Sequence, residues 1–185
     1  LVSESSFKTS DYIAMLNELA PELAASEPGD LHSARLPDLR IVIRLGTEHS
    51  PGMFNFDAIA AKAGPGDFQV LETMGAELDF DAPINIQFTS GTTGSPKAAT
   101  LTHHNIVNNA RKSARITNIT ERDRICLPVP MYNCFGMVLG SLLCKSSGAA
   151  IVLTAAGFEA DASLRAIEAE RCTAVHGVPT MFIAM

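Results

Sequence analysis

The feature that most limits what this chain can fold into is a run of nine residues, Thr89-Ser90-Gly91-Thr92-Thr93-Gly94-Ser95-Pro96-Lys97, which follows a short β-prone segment at 84–88. All but Pro96 are Gly, Ser, Thr or Lys. Gly91 and Gly94 lack a Cβ and admit positive φ, so the backbone there can come close to a ligand. The hydroxyls of Thr89, Ser90, Thr92, Thr93 and Ser95 stand beside backbone N–H groups, a nest for an anion. Lys97 adds a mobile full charge, and Pro96 stiffens the end of the run. A polar hairpin turn is the plainer alternative, since Gly and Ser favour turns in any case. A turn does not need three Thr, two Ser and a Lys together, so a polyphosphate is the expected ligand.

The run is not a Walker loop. That pattern needs Gly, four residues, Gly, Lys, then Ser or Thr. Counted from Gly91, Pro96 stands where the second Gly belongs and Ala98 where the metal-binding hydroxyl belongs. The run also leads into the β-prone Ala98-Ala99-Thr100-Leu101 and not into a helix.

Around the loop, hydrophobic periodicity predicts an α/β chain. Thr9-Ser10-Asp11 caps a helix carrying Tyr12, Met15, Leu16 and Leu19 up to Pro21. Residues 40–45 read as a buried strand, and 56–63 and 68–78 as short helices around Gly64-Pro65-Gly66. Thr102 caps a helix over 103–116 with Ile106, Ala110 and Ala114 on one face. Strands over 124–129, 149–153 and 173–176 alternate with helices over 135–144 and 161–170, the latter with Leu164 and Ile167 inward. Pro179 opens a further helix. Strand–helix alternation implies a layered, largely parallel sheet with flanking helices.

Composition narrows the class. The chain has 185 residues, enough for one domain with a hydrophobic core, with 46% hydrophobic and 18% charged residues. A formal net charge of -6 argues against a nucleic-acid partner. The apolar stretch 137–143 is interrupted by Gly140 and Ser141 and is too short to span a membrane. No secretory signal is visible at Leu1. Cys126, Cys134, Cys144 and Cys172 form no CxxC pair, so no metal site is expected, and free thiols in a reducing compartment are.

The residues from Phe88 to Lys97 resemble the signature loop of the AMP-forming adenylating superfamily, which includes acyl-CoA synthetases, luciferases and the adenylation domains of peptide synthetases. Leu101-Thr102-His103-His104-Asn105, Pro128-Val129-Pro130-Met131-Tyr132-Asn133-Cys134-Phe135-Gly136 and Gly177-Val178-Pro179-Thr180-Met181 resemble further motifs of that group. The opening Phe7-Lys8-Thr9-Ser10-Asp11-Tyr12 is similar to its medium-chain fatty acyl-CoA synthetase branch. The resemblance covers the chain as part of a larger AMP-binding (adenylation) N-terminal domain. It implies that a Tyr-Gly-x-Thr-Glu motif, a ribose-binding Asp and a C-terminal domain with its lysine lie beyond residue 185, so that the chain alone does not complete the reaction.

The resemblance implies activation of a carboxylate, a fatty acid above all, by ATP and Mg2+ to an acyl-adenylate, and its transfer to CoA. By the same resemblance Thr89 to Lys97 hold the phosphates, Lys97 and Thr92 are the catalytic pair, and Tyr132, Asn133, His176 and Gly177 line the substrate pocket. Two positions depart from the family pattern: Asn133 stands where many members have His, and Ala98 where many have Gly. An amide can donate a hydrogen bond but carries no proton charge near neutral pH. An adenylation domain for an amino or aryl acid and a non-catalytic nucleotide-binding module remain as alternatives. Homo-oligomerisation stays open, and the compartment is read as cytoplasmic, or mitochondrial if a targeting segment precedes Leu1.

Other residues have plainer readings beside the functional ones. His103 and His104 are adjacent, about 100° apart on a helix, and suit a polar helix start better than a shared metal. Arg111, Lys112 and Arg115 suit a solvated face more than a CoA-phosphate or membrane contact. His176, at a strand end before Gly177, is either a pocket wall or a packed residue. Met131, Phe135 and Met137 suit an acyl tunnel and ordinary core packing equally.

Overall fold

A computed structural model of the chain describes residues 1–91 and 94–185. It folds as two units, Leu1–Ala76 and Glu77–Met185. In the first, strands β1 (Val2–Ser3), β2 (Ser6–Phe7) and β3 (Ser10–Asp11) precede helix α1 (Tyr12–Leu19). Strands β4 (Ile43–Arg44) and β5 (Phe54–Asn55) follow, then helices α2 (Phe56–Ile59) and α3 (Asp67–Glu77). β4 lies between β1 and β5, all parallel, while β2 and β3 pair antiparallel.

Helix α1 starts where the sequence predicts. Asp11 is extended, and its carboxylate accepts the Ala14 N–H at 2.9 Å, satisfying a donor the helix cannot bond itself. Of its predicted apolar face only Leu16 is buried, packing with Ala20, Leu23, Leu31, Val42 and Met53. The strand expected over 40–45 is shorter than its hydrophobicity suggests: only Ile43 and Arg44 join the ladder. The partner strand is the chain's first residues, where Ile43 N–H donates to Leu1 O at 2.8 Å and Leu45 N–H to Ser3 O at 2.9 Å. Arg44 is buried and is bonded to Ser50 Oγ at 2.9 Å and to the Glu48 carboxylate.

The second unit carries the candidate site. Its first two strands, β6 (Pro83–Thr89) and β7 (Lys97–Thr102), form an antiparallel hairpin, followed by helix α4 (His103–Ile116). Strand β8 (Arg124–Cys126) leads to a π-helix, Phe135–Leu142, which runs on into α5 (Leu143–Ser147). Strand β9 (Ala150–Val152), helix α6 (Ala160–Ala169), strand β10 (Ala174–Val175) and helix α7 (Pro179–Ala184) complete it. β8 is central, with β9 and β10 parallel on either side. The α/β class and the parallel pairing through helical crossovers are as the alternation predicts.

Two details of this unit differ from expectation. The helix predicted over 135–144 is π-wound over its first part and extends to Ser147, where Gly148 closes it at φ 80. In α6 it is Ser163 that is fully buried, whereas Leu164 is 44% exposed. The Ser163 hydroxyl donates to Glu159 O at 2.8 Å, so it enters the core with its hydrogen bond made. Two apolar clusters hold the layers. Ala114, Ile125, Leu143 and Cys144 pack α4 and α5 on β8, and Ile106, Ala110 and Val138 pack α4 on the π-helix.

Candidate active site

The Gly/Ser/Thr/Lys run lies in sequence between the two paired strands β6 and β7. Thr89 ends one strand and pairs directly with Lys97, which begins the other. The strand–turn–strand setting confirms that no helix N-terminus follows the loop, since α4 begins six residues after Lys97. Thr89, Ser90, Gly94, Ser95, Pro96 and Lys97 are exposed, so the hydroxyls and the ammonium are open to a ligand. Thr92 and Thr93 lie outside the described residues. Gly91 has φ 62, and a Cβ there would stand 2.2 Å from Ser95 O, so both the backbone angle and the space demand glycine. Ala98 stands opposite Phe88 in the ladder and is exposed.

The hairpin is tied to the segment that follows β8. Gln87, two residues before the strand end, donates its amide Nε2 to Tyr132 O at 3.3 Å. Tyr132 is 71% exposed. Asn133 bonds within its own segment. Its Oδ1 accepts the Gly136 N–H at 3.1 Å and its carbonyl accepts the Met137 N–H at 2.9 Å, so it caps the π-helix. Gly136 admits this turn because a Cβ would come within 2.2 Å of Pro130 O. Gly140, one turn on, packs against the Leu127 side chain, which a Cβ would meet at 2.5 Å.

Two apolar cavities lie beside this turn. The larger, about 320 Å³, is lined by Leu101, Asn105, Ile106, Asn109, Cys134, Phe135, Val138 and Leu139. The smaller, about 240 Å³, is lined by Ser113, Ile116, Thr117, Phe135, Leu139, Leu143 and His176. α4 contributes to both because its register is fixed at its start: Thr102 Oγ1 accepts the Asn105 N–H at 3.2 Å, and Asn105 Oδ1 accepts the Thr102 N–H at 2.8 Å. Asn105, Asn109 and Ser113, four residues apart, form a row next to the buried Ile106, Ala110 and Ala114.

His176 continues the β10–β8 pairing by donating its N–H to Cys126 O at 3.1 Å. Its ring stacks on Phe135, with centroids 6.2 Å apart at 21°, and its Nδ1 is buried without a hydrogen-bond partner. Gly177 is half-buried against the Phe182 ring. The structure therefore gathers Asn133, Phe135 and His176 around the π-helix and links Tyr132 to the hairpin. The sequence reading missed Gln87, Asn109, Ser113 and Leu139. The polar row at 105, 109 and 113 beside an apolar stripe was the available signal.

Other candidates have structural partners or surroundings. His104 Nδ1 pairs with Asp81 Oδ1 at 2.9 Å, and its ring meets Phe80 edge-on. Arg111, Lys112 and Arg115 are exposed along α4. All four cysteines are free. Burial pushes the Cys126 thiol up to about 11 and raises those of Cys144 and Cys172, so these three stay protonated near neutral pH. Among the described residues no group of three His, Cys, Asp or Glu could hold a metal ion, and no helix is long and apolar enough to cross a membrane.

The chain is similar in sequence and fold to known proteins. A family model described as "AMP-binding enzyme" matches residues 12–185. The chain is 46% identical over its whole length to the mitochondrial medium-chain acyl-CoA ligase ACSF2 of Danio rerio, and covers 31% of it. It is 43% identical, again over its whole length, to the putative acyl-CoA synthetase YngI of Bacillus subtilis (strain 168), of which it covers 33%. It thus spans about a third of the length of these relatives. In fold it is similar to the anthranilate CoA ligase AuaEII in complex with anthranoyl-AMP, with a TM-score of 0.66 and 20% identity over 81% of this chain and 28% of that one. With residues 12–185 matched, the chain belongs to the AMP-binding enzyme family.

Proposed function

We propose that this chain is the phosphate-binding and acyl-binding part of an ATP-dependent acyl-CoA synthetase acting on a fatty acid, of medium length as in the ligases it is similar to. The observation that carries the reading is the hydrogen bond from Gln87 to Tyr132, which ties the strand leading into an exposed Gly/Ser/Thr/Lys loop to the segment running into Cys134 and Phe135, two residues that line an apolar cavity of about 320 Å³. One end suits a polyphosphate and the other a hydrocarbon tail, which is the pairing that acyl adenylation requires.

In the first step a carboxylate oxygen bonds to the α-phosphorus of ATP and the bond to pyrophosphate breaks. Two anions must meet, so positive charge and donors have to offset their repulsion as charge builds. Lys97 supplies the charge and the backbone N–H groups and hydroxyls of Thr89 to Ser95 the donors, with Thr92 as Lys97's catalytic partner. The hydroxyl oxygens of Ser90 and Ser95 are hard donors of the type Mg2+ accepts, and Mg2+ held there would offset negative charge on the phosphates. Asn133 uses its acceptor oxygen on Gly136, which leaves its Nδ2 donor for the substrate carboxylate. His176 and Gly177 wall the far side. In the second step the CoA sulfur bonds to the acyl carbon and AMP leaves. The reading places the enzyme where ATP and CoA are available, the cytoplasm or the mitochondrial interior.

The test is ATP–pyrophosphate exchange by the full-length protein that contains this chain, run with saturated fatty acids of graded length and with aryl and amino acids. Exchange dependent on a fatty acid is expected, with Lys97→Ala lowering it by about 100-fold or more. Exchange with none of the fatty acids would sink the reading. Exchange confined to aryl or amino acids would move the substrate class.

A further inference from the structure

The larger cavity is uneven in its chemistry. Leu101, Ile106, Phe135, Val138 and Leu139 give it apolar walls, but along α4 it is edged by two amides, Asn105 and Asn109. These are four apart on the helix, so they are neighbours on one face. Asn105 is already committed at one end. Its Oδ1 accepts the Thr102 N–H at 2.8 Å and the Thr102 hydroxyl at 3.1 Å, which leaves Nδ2, a donor, for a ligand. The Asn109 side chain makes no hydrogen bond among the described residues, so it keeps both donor and acceptor. Both amides are exposed, and both also line a polar cleft with His104, Asn108 and Lys112. They form a polar lip on an apolar groove.

We propose that this lip recognises a hydroxyl group on the tail of the acid, so that a hydroxy-fatty acid is a better substrate than the unsubstituted acid of the same length. The proposal rests on the larger cavity being the acyl pocket. A hydroxyl is the group that fits the pair. Its oxygen accepts from Asn105 Nδ2 while its proton goes to Asn109 Oδ1, so one substituent satisfies both amides. A plain alkyl chain lying against the lip takes water away from the two amides and returns no hydrogen bond, which weakens its binding. The apolar walls still hold the rest of the tail, so the unsubstituted acid remains a substrate with a lower kcat/KM.

The experiment compares kcat/KM of the full-length protein for one saturated fatty acid with kcat/KM for the same acid hydroxylated at each carbon in turn. At one position of the hydroxyl the ratio of hydroxylated to unsubstituted acid should reach at least about five-fold, the worth of one net hydrogen bond. An apolar groove without the lip would give a ratio below one at every position, because it would bury the hydroxyl unpaired. Asn109→Leu keeps the volume and removes the acceptor, and should lower the ratio at that position by at least about five-fold. Asn109→Ala decides the matter if the leucine variant does not fold. Asn108→Leu alters the neighbouring polar clefts but not the groove, and should leave the ratio unchanged. A wild-type ratio at or below one for every position would overturn the proposal while leaving the acyl-CoA synthetase reading intact, as would a preference that survives both substitutions of Asn109. Wild-type protein that uses no fatty acid, hydroxylated or not, would overturn both.

Discussion

The side-chain amide of Gln87 donates a hydrogen bond to the main-chain carbonyl of Tyr132 at 3.3 Å, across 45 residues of sequence. Gln87 lies on the strand that ends at Thr89, and Tyr132 precedes the residue that caps the π-helix. One bond thus links the strand that leads into the Gly/Ser/Thr/Lys loop to the segment at the start of the π-helix.

Breaking that bond should separate geometry from stability. A single exposed hydrogen bond of this type contributes about 1 kcal/mol, so Gln87→Ala should leave the protein folded and slightly less stable. Misplacing the loop relative to the carboxylate by a fraction of an ångström should lower the rate of adenylation by about ten-fold or more. Gln87→Glu keeps the length but loses the donor and should behave like the alanine variant. Pyrophosphate exchange alongside a thermal melt checks this, and unchanged exchange in both variants would show that the bond has no positioning role.

Asn133 has two ends, and substitutions can remove them separately. Asn133→Asp keeps an acceptor for the Gly136 N–H but turns the donor into a negative charge. It should melt close to wild type while raising KM for the acid, since a carboxylate then faces a carboxylate. Asn133→Ala loses the cap as well and should cost about 1 kcal/mol of stability. Thermal melts and KM for the acid distinguish the two. Equal melting temperatures for both variants would mean that the bond to Gly136 contributes little to the fold.

The sequence announces local features here much better than side-chain partners. The loop from Thr89 to Lys97 and the cap at Thr102 are written in consecutive residues, because glycine geometry and capping are local effects. The π-winding of Phe135–Leu142 is not, since it depends on Gly136 fitting against Pro130 O and Gly140 against Leu127. Gln87 gave no signal, as it reads as an ordinary strand residue until Tyr132 is placed beside it. Asn133 shows the remaining difficulty. The family pattern points to its position, but the use of its oxygen as a cap depends on where the Gly136 N–H lies.

Stability in acid should depend on Asp123. Its Oδ2 accepts from Thr120 N–H at 2.7 Å and its Oδ1 from the Thr173 hydroxyl at 2.8 Å, joining the start of β8 to the start of β10. The Thr120 N–H, with the Thr173 hydroxyl next in weight, lowers its pKa below the ordinary 3.8. The folded state therefore favours the ionised form more than the unfolded state does. The resulting stabilisation is complete above the unfolded value and is lost as pH falls through the lower folded value. Asp123→Asn cannot accept at both oxygens, so it should be less stable than wild type at neutral pH, with the difference shrinking below about pH 4. Urea midpoints for the two proteins from pH 7 to pH 3 measure this. A difference that stays constant across that range would show that the charge of Asp123 plays no part in holding the two strands together.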